Sequence, residues 1–191
     1  EMRESDWSSD VCSSDLSLKK MTAAQEGAAI GAGQLGVLVS NYFEENFKLP
    51  ELNLPDLRGE IPENAARALR EYWRLGSKSI SNMVHLLEMN GIKVFSLSEN
   101  ATEVDAYSFW KAEKAYVFLN NQKTAERSRF DAAHELGHLV LHKHGSPQGK
   151  DVEAEANQFA SAFLMPKENV LAVKMRSPSV DDISQLRHNW I

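Results

Sequence analysis

Hydrophobic residues recur along the chain at two spacings, one typical of helices and one typical of strands. Helical spacing predicts helices over 64–75, 79–90, 151–164, 167–173 and 180–190 and a long helix after Thr124; alternation predicts strands over 92–97, 104–110 and 115–120. This order predicts an α+β fold, in which N-terminal helices and a short mixed sheet precede the long helix and a further helix packed on it.

The N-terminal third differs from the rest in composition. Residues 21–39 are rich in alanine and glycine, which predicts a small-residue helix, and the three prolines within 41–62 predict an extended linker. The first segment contains G-A-G-Q-L-G (31–36), formally a dinucleotide-binding motif. That motif needs a preceding strand, whereas 22–29 is small and helix-like. We therefore favour a helix over a nucleotide site.

Composition narrows the class of protein. The 191 residues are 42% hydrophobic and 25% charged, with a formal net charge of −6, as in ordinary globular domains. The acidic balance argues against a large nucleic-acid surface, and no apolar run is long enough for a membrane span. A single cysteine, Cys12, excludes an internal disulfide and a cysteine-ligated zinc site. These features predict a reducing, cytoplasmic setting.

The two ends of the chain look foreign to a folded domain. The run 6–16 resembles the translation of a common sequencing-adapter oligonucleotide, so we expect residues 1–16 to be non-native. At the other end, 176–191 looks like the start of a C-terminal helical region cut in the middle of a helix. We therefore interpret the sequence as a fragment.

The long helix carries the clearest chemical signal, His134-Glu135-x-x-His138. Histidines four residues apart leave the same face of a helix one turn apart, where two neutral imidazoles can share a tetrahedral Zn²⁺. Glu135 lies beside them, placed to act as a general base towards water. The alternative is a core helix with incidental histidines, but burying these three polar side chains without partners is costly. The motif therefore favours a metal site.

A catalytic zinc needs a third protein ligand, and the residues just after the motif supply poor candidates. His144 has the spacing of a longer zinc motif, but that motif needs a glycine where this chain has Leu141. His142 lies on the correct face, yet about 12 Å along the helix axis from His134. Both histidines are better explained as polar residues at the helix C-terminus.

A glutamate from the next helix is the better third ligand, and two compete. Glu153 shares a stripe with Asn157 and Ala160, and small residues on that stripe allow close helix approach. Asn157 could then hold a ligand histidine from behind. Glu155 points about 200° away from Glu153 and is expected to face solvent. The pattern favours Glu153 and leaves Glu155 as the alternative.

Three separated motifs together resemble one known family. The sequence R-F-x-x-A-H-E-L-G-H-L (129–139), then E-x-E-A-N-x-F-A (153–160), then L-M-P (164–166) is similar to the ImmA/IrrE family of zinc metallopeptidases. The resemblance covers about 64–175 and implies a small zincin-like domain over 63–175.

The resemblance also implies roles for the motif residues. One Zn²⁺ per chain would be held by His134, His138 and Glu153, with Glu135 as the general base. Family members commonly cleave or inactivate a DNA-bound repressor, and many carry an N-terminal helix-turn-helix domain joined by a linker like 17–62. The resemblance thus implies a zinc-dependent endopeptidase acting on a protein, a transcriptional repressor, in a stress or mobile-element response. The sequence predicts no nucleic-acid or membrane contact by the domain itself.

A non-catalytic alternative remains open. A zinc-bound module could sense a ligand or partner and control a fused or partner helix-turn-helix factor without proteolysis. Glu135 favours the enzyme, because a purely structural zinc site needs no base.

Substrate contacts are less clearly marked. The strand just before the long helix, with Tyr116, Val117 and Phe118, is predicted to be an edge strand that pairs with an extended substrate. Stabilising the oxyanion falls to Tyr116, His142 or His144, among which the sequence does not choose.

Overall fold

The computed structural model describes residues 23–97, 106–142 and 150–172, so the predictions for 1–16, His144 and 176–191 lie outside the described residues. In chain order, the elements are α1 (Ala23–Asn46), α2 (Pro62–Tyr72), α3 (Met83–Met89), β1 (Lys93–Ser96), β2 (Ala106–Lys111), β3 (Lys114–Leu119), α4 (Ala125–Leu141), α5 (Lys150–Leu164) and α6 (Lys167–Ala172). The predicted order of helices, short strands and long helix is confirmed.

The three strands form a mixed sheet in the order β1-β3-β2. β1 runs parallel to β3, and β2 runs antiparallel to it. The predicted substrate-pairing role of Tyr116, Val117 and Phe118 is therefore wrong. These residues lie on the central strand, where both edges already pair with neighbours and all three side chains are buried. Alternation identified the strand but carries no information about its neighbours.

A two-residue turn joins β2 to β3. Ala112 and Glu113 both have positive φ, 48° and 60°, as a type I′ hairpin turn requires. The sequence lacks the Asn-Gly pair that usually announces this turn. It folds β2 directly back along β3, so that Lys111 lies opposite Lys114.

One face of the sheet is covered by α4, and α2 and α5 pack against α4 to enclose the larger core. Trp110 donates from its indole nitrogen to the carbonyl of Leu139 on α4, at 3.2 Å. Arg70, buried on α2, donates to the carbonyls of Gly76, Lys78 and Phe163, the last on α5. The helices on this side are thus fixed to the sheet and to one another by hydrogen bonds as well as by packing.

The other face is covered by α1. Gly33 and Gly36 lie against aromatic rings of the sheet: a Cβ on Gly36 would come within 2.7 Å of Phe118, and one on Gly33 within 3.4 Å of Phe109. Tyr107 donates its hydroxyl to the carbonyl of Ala29 on α1, at 2.7 Å. The glycine-rich motif is therefore helical, as expected, and serves close packing.

The helix α1 extends further than the sequence predicts. It continues through 41–46, where the sequence predicts an extended linker. That stretch contains no helix breaker, because the first proline is Pro50, and Glu44 gains ion pairs with Lys93 and Lys114. Among the described helices, none combines the length and apolarity that a membrane span requires.

Candidate metal centre

The helix α4 begins where the sequence predicts. Thr124 is its N-cap and accepts a hydrogen bond from the backbone N–H of Arg127 at 3.3 Å. The helix ends at Leu141, and His142 is the C-cap. Most of its central turns are buried between the sheet and α5. The helix that carries the motif is therefore held in place on two sides.

The structure brings the three predicted ligands together. Nε2 of His134 lies 2.9 Å from Nε2 of His138. The Glu153 carboxylate places Oε2 3.2 Å from His134 Nε2 and Oε1 3.4 Å from His138 Nε2. One donor atom from each residue lies within 4.8 Å of the others. Donors of a tetrahedral zinc with bonds of about 2.0–2.1 Å are about 3.3 Å apart, so this set fits Zn²⁺ in both chemistry and spacing.

Small residues at the crossing of α4 and α5 bring Glu153 to the histidines. A Cβ on Gly137 would lie 3.0 Å from the ring of Phe159 and 3.3 Å from Cα of Ala156. Ala156 and Ala160 are fully buried, as their place on the predicted stripe requires. The glycine of the motif is thus needed for helix approach, which sets the position of Glu153.

Each ligand histidine has a second partner behind it. His134 Nδ1 lies 3.1 Å from Asn157 Oδ1, the contact predicted for Asn157. His138 Nδ1 lies 3.2 Å from Nδ1 of His142, whose Nε2 lies 2.8 Å from Oε2 of Glu155. Glu155 is exposed as predicted, but its pairing with His142 was missed. The available signal was the four-residue spacing of His138 and His142.

Glu135 lies beside the ligands and is almost fully enclosed, with 2% of its surface exposed. Its Oε2 accepts a hydrogen bond from the hydroxyl of Ser108 on β2, at 2.7 Å. Sequence reasoning missed Ser108, although it is the one serine in an otherwise apolar and aromatic stretch, 106–110. Burial raises the pKa of Glu135 above its ordinary value, against the lowering effect of His138 and His134.

Charge at the centre is shared among the ligands. Hydrogen bonds from His134 and then His138 hold the pKa of Glu153 far below its usual range. Burial alone would lower the pKa of His134, but Glu153 and the nearby charge of Glu135 outweigh it and raise that pKa. Burial lowers the pKa of His142, which favours a neutral ring there.

The positions of the three candidates for stabilising the oxyanion differ. Tyr116 belongs to the cluster beneath α1, where its ring stacks on Phe109 with centroids 5.0 Å apart. That face of the sheet is opposite to α4, so Tyr116 is wrong as an oxyanion group. His142 is engaged with His138 and Glu155, and His144 lies outside the described residues.

Comparison with known protein families places the chain. No curated protein matches the chain. The family model Peptidase_M78, described as the IrrE N-terminal-like domain, matches residues 87–190. That range is more than half of the 191 residues and includes the whole of the sheet, α4 and α5. The chain therefore belongs to the Peptidase_M78 family, the family of IrrE N-terminal-like domains, and this membership points to a function of the metallopeptidase type.

Proposed function

We propose that this protein is a zinc-dependent endopeptidase with one Zn²⁺ per chain, held by His134, His138 and Glu153. The observation that carries the proposal is the convergence of these three donor groups, all within 4.8 Å, beside a buried carboxylate. A zinc site that is only structural has four protein ligands as a rule, whereas a catalytic site has three and keeps a position open. Among the described residues, three donors and an adjacent base come together, which is the catalytic pattern.

The chain's own residues supply the proton chemistry. When bound, Zn²⁺ acts as a Lewis acid and brings the pKa of a coordinated water to about 7. Glu135 takes a proton from the attacking water and passes it to the leaving amine. Ser108 fixes one oxygen of this carboxylate, which leaves the other oxygen to carry the proton. The raised pKa of Glu135 brings it closer to working pH, where a general base is most effective.

The substrate we propose is a protein, a DNA-binding transcriptional repressor. The family membership supports a peptidase, and the resemblance to ImmA/IrrE proteins supports the repressor. Of the strands, β2 lies nearest the centre, because its Ser108 contacts Glu135, and it is an edge of the described sheet. An extended peptide can add to such an edge through main-chain hydrogen bonds. The substrate-pairing strand in this proposal is thus β2.

Glu135→Gln tests the proposal most directly. Glutamine keeps the size and can still accept from Ser108, but it cannot act as a base, so the rate should fall about 10²- to 10⁴-fold. Zinc content per chain should stay at the wild-type level. Metal analysis and hydrolysis of a set of fluorogenic peptides make the comparison. Glu126→Gln, on the first turn of the same helix, is the control and should retain both properties.

A cell-based version separates the enzyme from the sensor. Each form is co-expressed with a candidate repressor and a reporter that it silences, and the repressor is blotted for cut products. The enzyme predicts cutting and relief of repression with the wild type and neither with Glu135→Gln. If Glu135→Gln relieves repression as well as the wild type, proteolysis is not the mechanism and the sensor interpretation holds.

A further inference from the structure

We propose that His142 and Glu155 are positioning residues for the metal centre, which fix the orientation and tautomer of His138 through a hydrogen-bonded chain. The proposal rests on the proposed zinc site at His134, His138 and Glu153. Neither His142 nor Glu155 would touch the metal. His142 acts through the ring of His138, and Glu155 acts through the ring of His142.

The contacts form a continuous line from the centre to the surface. His138 uses Nε2 on the ligand side, 3.4 Å from Glu153 Oε1. Its other nitrogen, Nδ1, lies 3.2 Å from His142 Nδ1. The far nitrogen of His142 lies 2.8 Å from the carboxylate of Glu155. His142 is only 5% exposed, while the Glu155 side chain is 48% exposed, so the line begins in the protein and ends in solvent.

Only one arrangement of protons satisfies all of these contacts once Nε2 of His138 gives its lone pair to a metal. A neutral imidazole carries one proton, which must then be on Nδ1 of His138. His138 therefore donates to His142, whose Nδ1 must accept and carries no proton. The proton of His142 is on Nε2, where it donates to Glu155. Glu155 thereby selects the tautomer of His142 that can hold His138.

The partner of the other ligand histidine shows why this chain is needed. His134 Nδ1 faces the side-chain oxygen of Asn157, and an amide oxygen accepts whatever its surroundings. An imidazole nitrogen accepts in only one of the two neutral tautomers. The two ligand histidines therefore have different kinds of acceptor behind them. Only the acceptor of His138, the ring of His142, depends on a further residue, Glu155.

The packing of His142 supports this role over a purely structural one. It is the C-cap of α4, and its backbone N–H already bonds to the carbonyl of His138. The ring is directed to His138 and Glu155 rather than to solvent. Partners of this kind orient the ring and raise its basicity, and their loss commonly costs 10- to 100-fold in metal affinity.

Zinc affinity of the full chain, measured by competition with a chromophoric chelator, tests the proposal. His142→Phe keeps a buried ring but offers no acceptor, and Glu155→Ala removes the residue that selects the tautomer. Both should weaken zinc binding, His142→Phe by about 10- to 100-fold and Glu155→Ala by less. The matched controls are His85→Phe, an exposed histidine on α3, and Asp151→Ala, an exposed acid in the first turn of α5. Both controls should bind zinc as the wild type does.

A rescue variant separates the chain of hydrogen bonds from mere packing. His142→Asn places an amide oxygen near the position of Nδ1, so it should recover most of the affinity that His142→Phe loses. An amide oxygen needs no tautomer, so Glu155→Ala should have no further effect in the His142→Asn background. An equal loss from Glu155→Ala in both backgrounds would overturn the proposal.

Nitrogen NMR of the zinc-bound wild type gives a readout that does not depend on any variant folding. With histidines labelled, His138 should carry its proton on Nδ1 and His142 on Nε2. A zinc-bound chain with the His142 proton on Nδ1 would overturn the proposal, as would wild-type affinity in a folded His142→Phe variant, while both leave the metal centre intact. A wild-type chain that binds no zinc would overturn the metal centre as well, so the two failures are distinguishable.

Discussion

On both faces of the sheet, glycines allow helices to pack closely, but the close packing has a different result on each face. On one face, Gly33 and Gly36 let α1 approach a stack of aromatic rings, and the result is a sealed apolar layer. On the other, Gly137 lets α5 approach α4, and the result is a set of convergent polar atoms. Close helix packing therefore serves stability on the first face and the placement of the candidate ligands on the second.

The side chains of a single strand, β2, are divided between these two faces. Along β2, Tyr107 and Phe109 lie under α1, whereas Ser108 lies against Glu135 and Trp110 against the Leu139 carbonyl. Alternation thus gives one strand an apolar and a chemical face. Changes on the α1 face should alter stability alone, and changes on the α4 face should alter metal binding.

Phe118→Ala should have the largest effect on stability. Phe118 is buried, stacks on Tyr107 at 4.7 Å and contacts the α1 glycine at 36. Its truncation should lower the free energy of unfolding by about 3–5 kcal/mol, measured by urea denaturation. Zinc affinity of the folded variant should be unchanged, because the ring lies on the face away from α4. A parallel fall in affinity would show that the two faces are coupled.

Gly36→Ala and Gly31→Ala form a matched pair on α1 with opposite expected signs. Both replace a helical glycine, which alone should stabilise by about 1 kcal/mol. Gly31 has no atom near an added Cβ, whereas Gly36 would bring it within 2.7 Å of the Phe118 ring. Overpacking typically costs about 1–3 kcal/mol. Gly31→Ala should therefore raise the melting temperature and Gly36→Ala lower it; equal shifts would show that α1 is not held close to the sheet.

Gly137→Ala, on the other face of the sheet, should lower zinc affinity and leave stability without metal almost unchanged. The added Cβ would lie 3.0 Å from the Phe159 ring and 3.3 Å from Cα of Ala156, so α5 must give way by a few tenths of an ångström and shift Glu153 with it. Zinc affinity should fall about tenfold, an effect of about 1.4 kcal/mol, as measured by chelator competition. Since the helix gains propensity from alanine, stability without metal should change little. Unchanged affinity would mean that the helix crossing does not set the position of Glu153.

Glu44→Gln should have the smallest effect and a defined dependence on pH. Burial raises the pKa of Glu44, but its hydrogen bonds with Lys114 and Lys93 outweigh burial and hold that pKa below 4.5. A lowered folded-state pKa stabilises above the unfolded value, and the contribution is lost as pH falls through the folded value. At pH 7, Glu44→Gln should be less stable than the wild type by under about 1 kcal/mol, since the pair is partly exposed.

The same experiment at acid pH completes this test. As the pH falls below 4.5 and then through the lowered pKa of Glu44, the stability difference between Glu44→Gln and the wild type should shrink towards zero. Glu45→Gln, the exposed neighbour, should match the wild type at every pH. A difference for Glu44→Gln that persists at low pH would assign its effect to packing rather than to charge.

The features that the sequence predicted are those that depend on spacing within one element. His134 and His138 share a face because they are four residues apart, and Asn157 follows Glu153 by one turn. The features that it missed depend on contacts between elements far apart in the chain. Ser108 reaches Glu135 from β2, and the central position of β3 depends on strands on both sides.

Local rules also misled at the N-terminal segment. The prolines from Pro50 onward favour an extended linker, and the prediction begins this linker at 41, although 41–46 are helical. Their helix is stabilised in part by Glu44, whose partners Lys93 and Lys114 lie on β1 and β3. Such distant ion pairs cannot be read from helix signals. The exposed Glu155 was likewise treated as a lone surface charge because its partner, His142, lies on another helix.

Arg70 fixes the C-terminal end of α5, the helix that also carries Glu153. Its guanidinium holds the carbonyl of Phe163 near the C-terminus of α5 and, at the same time, the carbonyls of Gly76 and Lys78. Glu153 lies ten residues away, towards the opposite end of that helix. One helix therefore links the Arg70 guanidinium to the Glu153 carboxylate, so a cation remote from the candidate metal centre helps to fix the position of one of its acids.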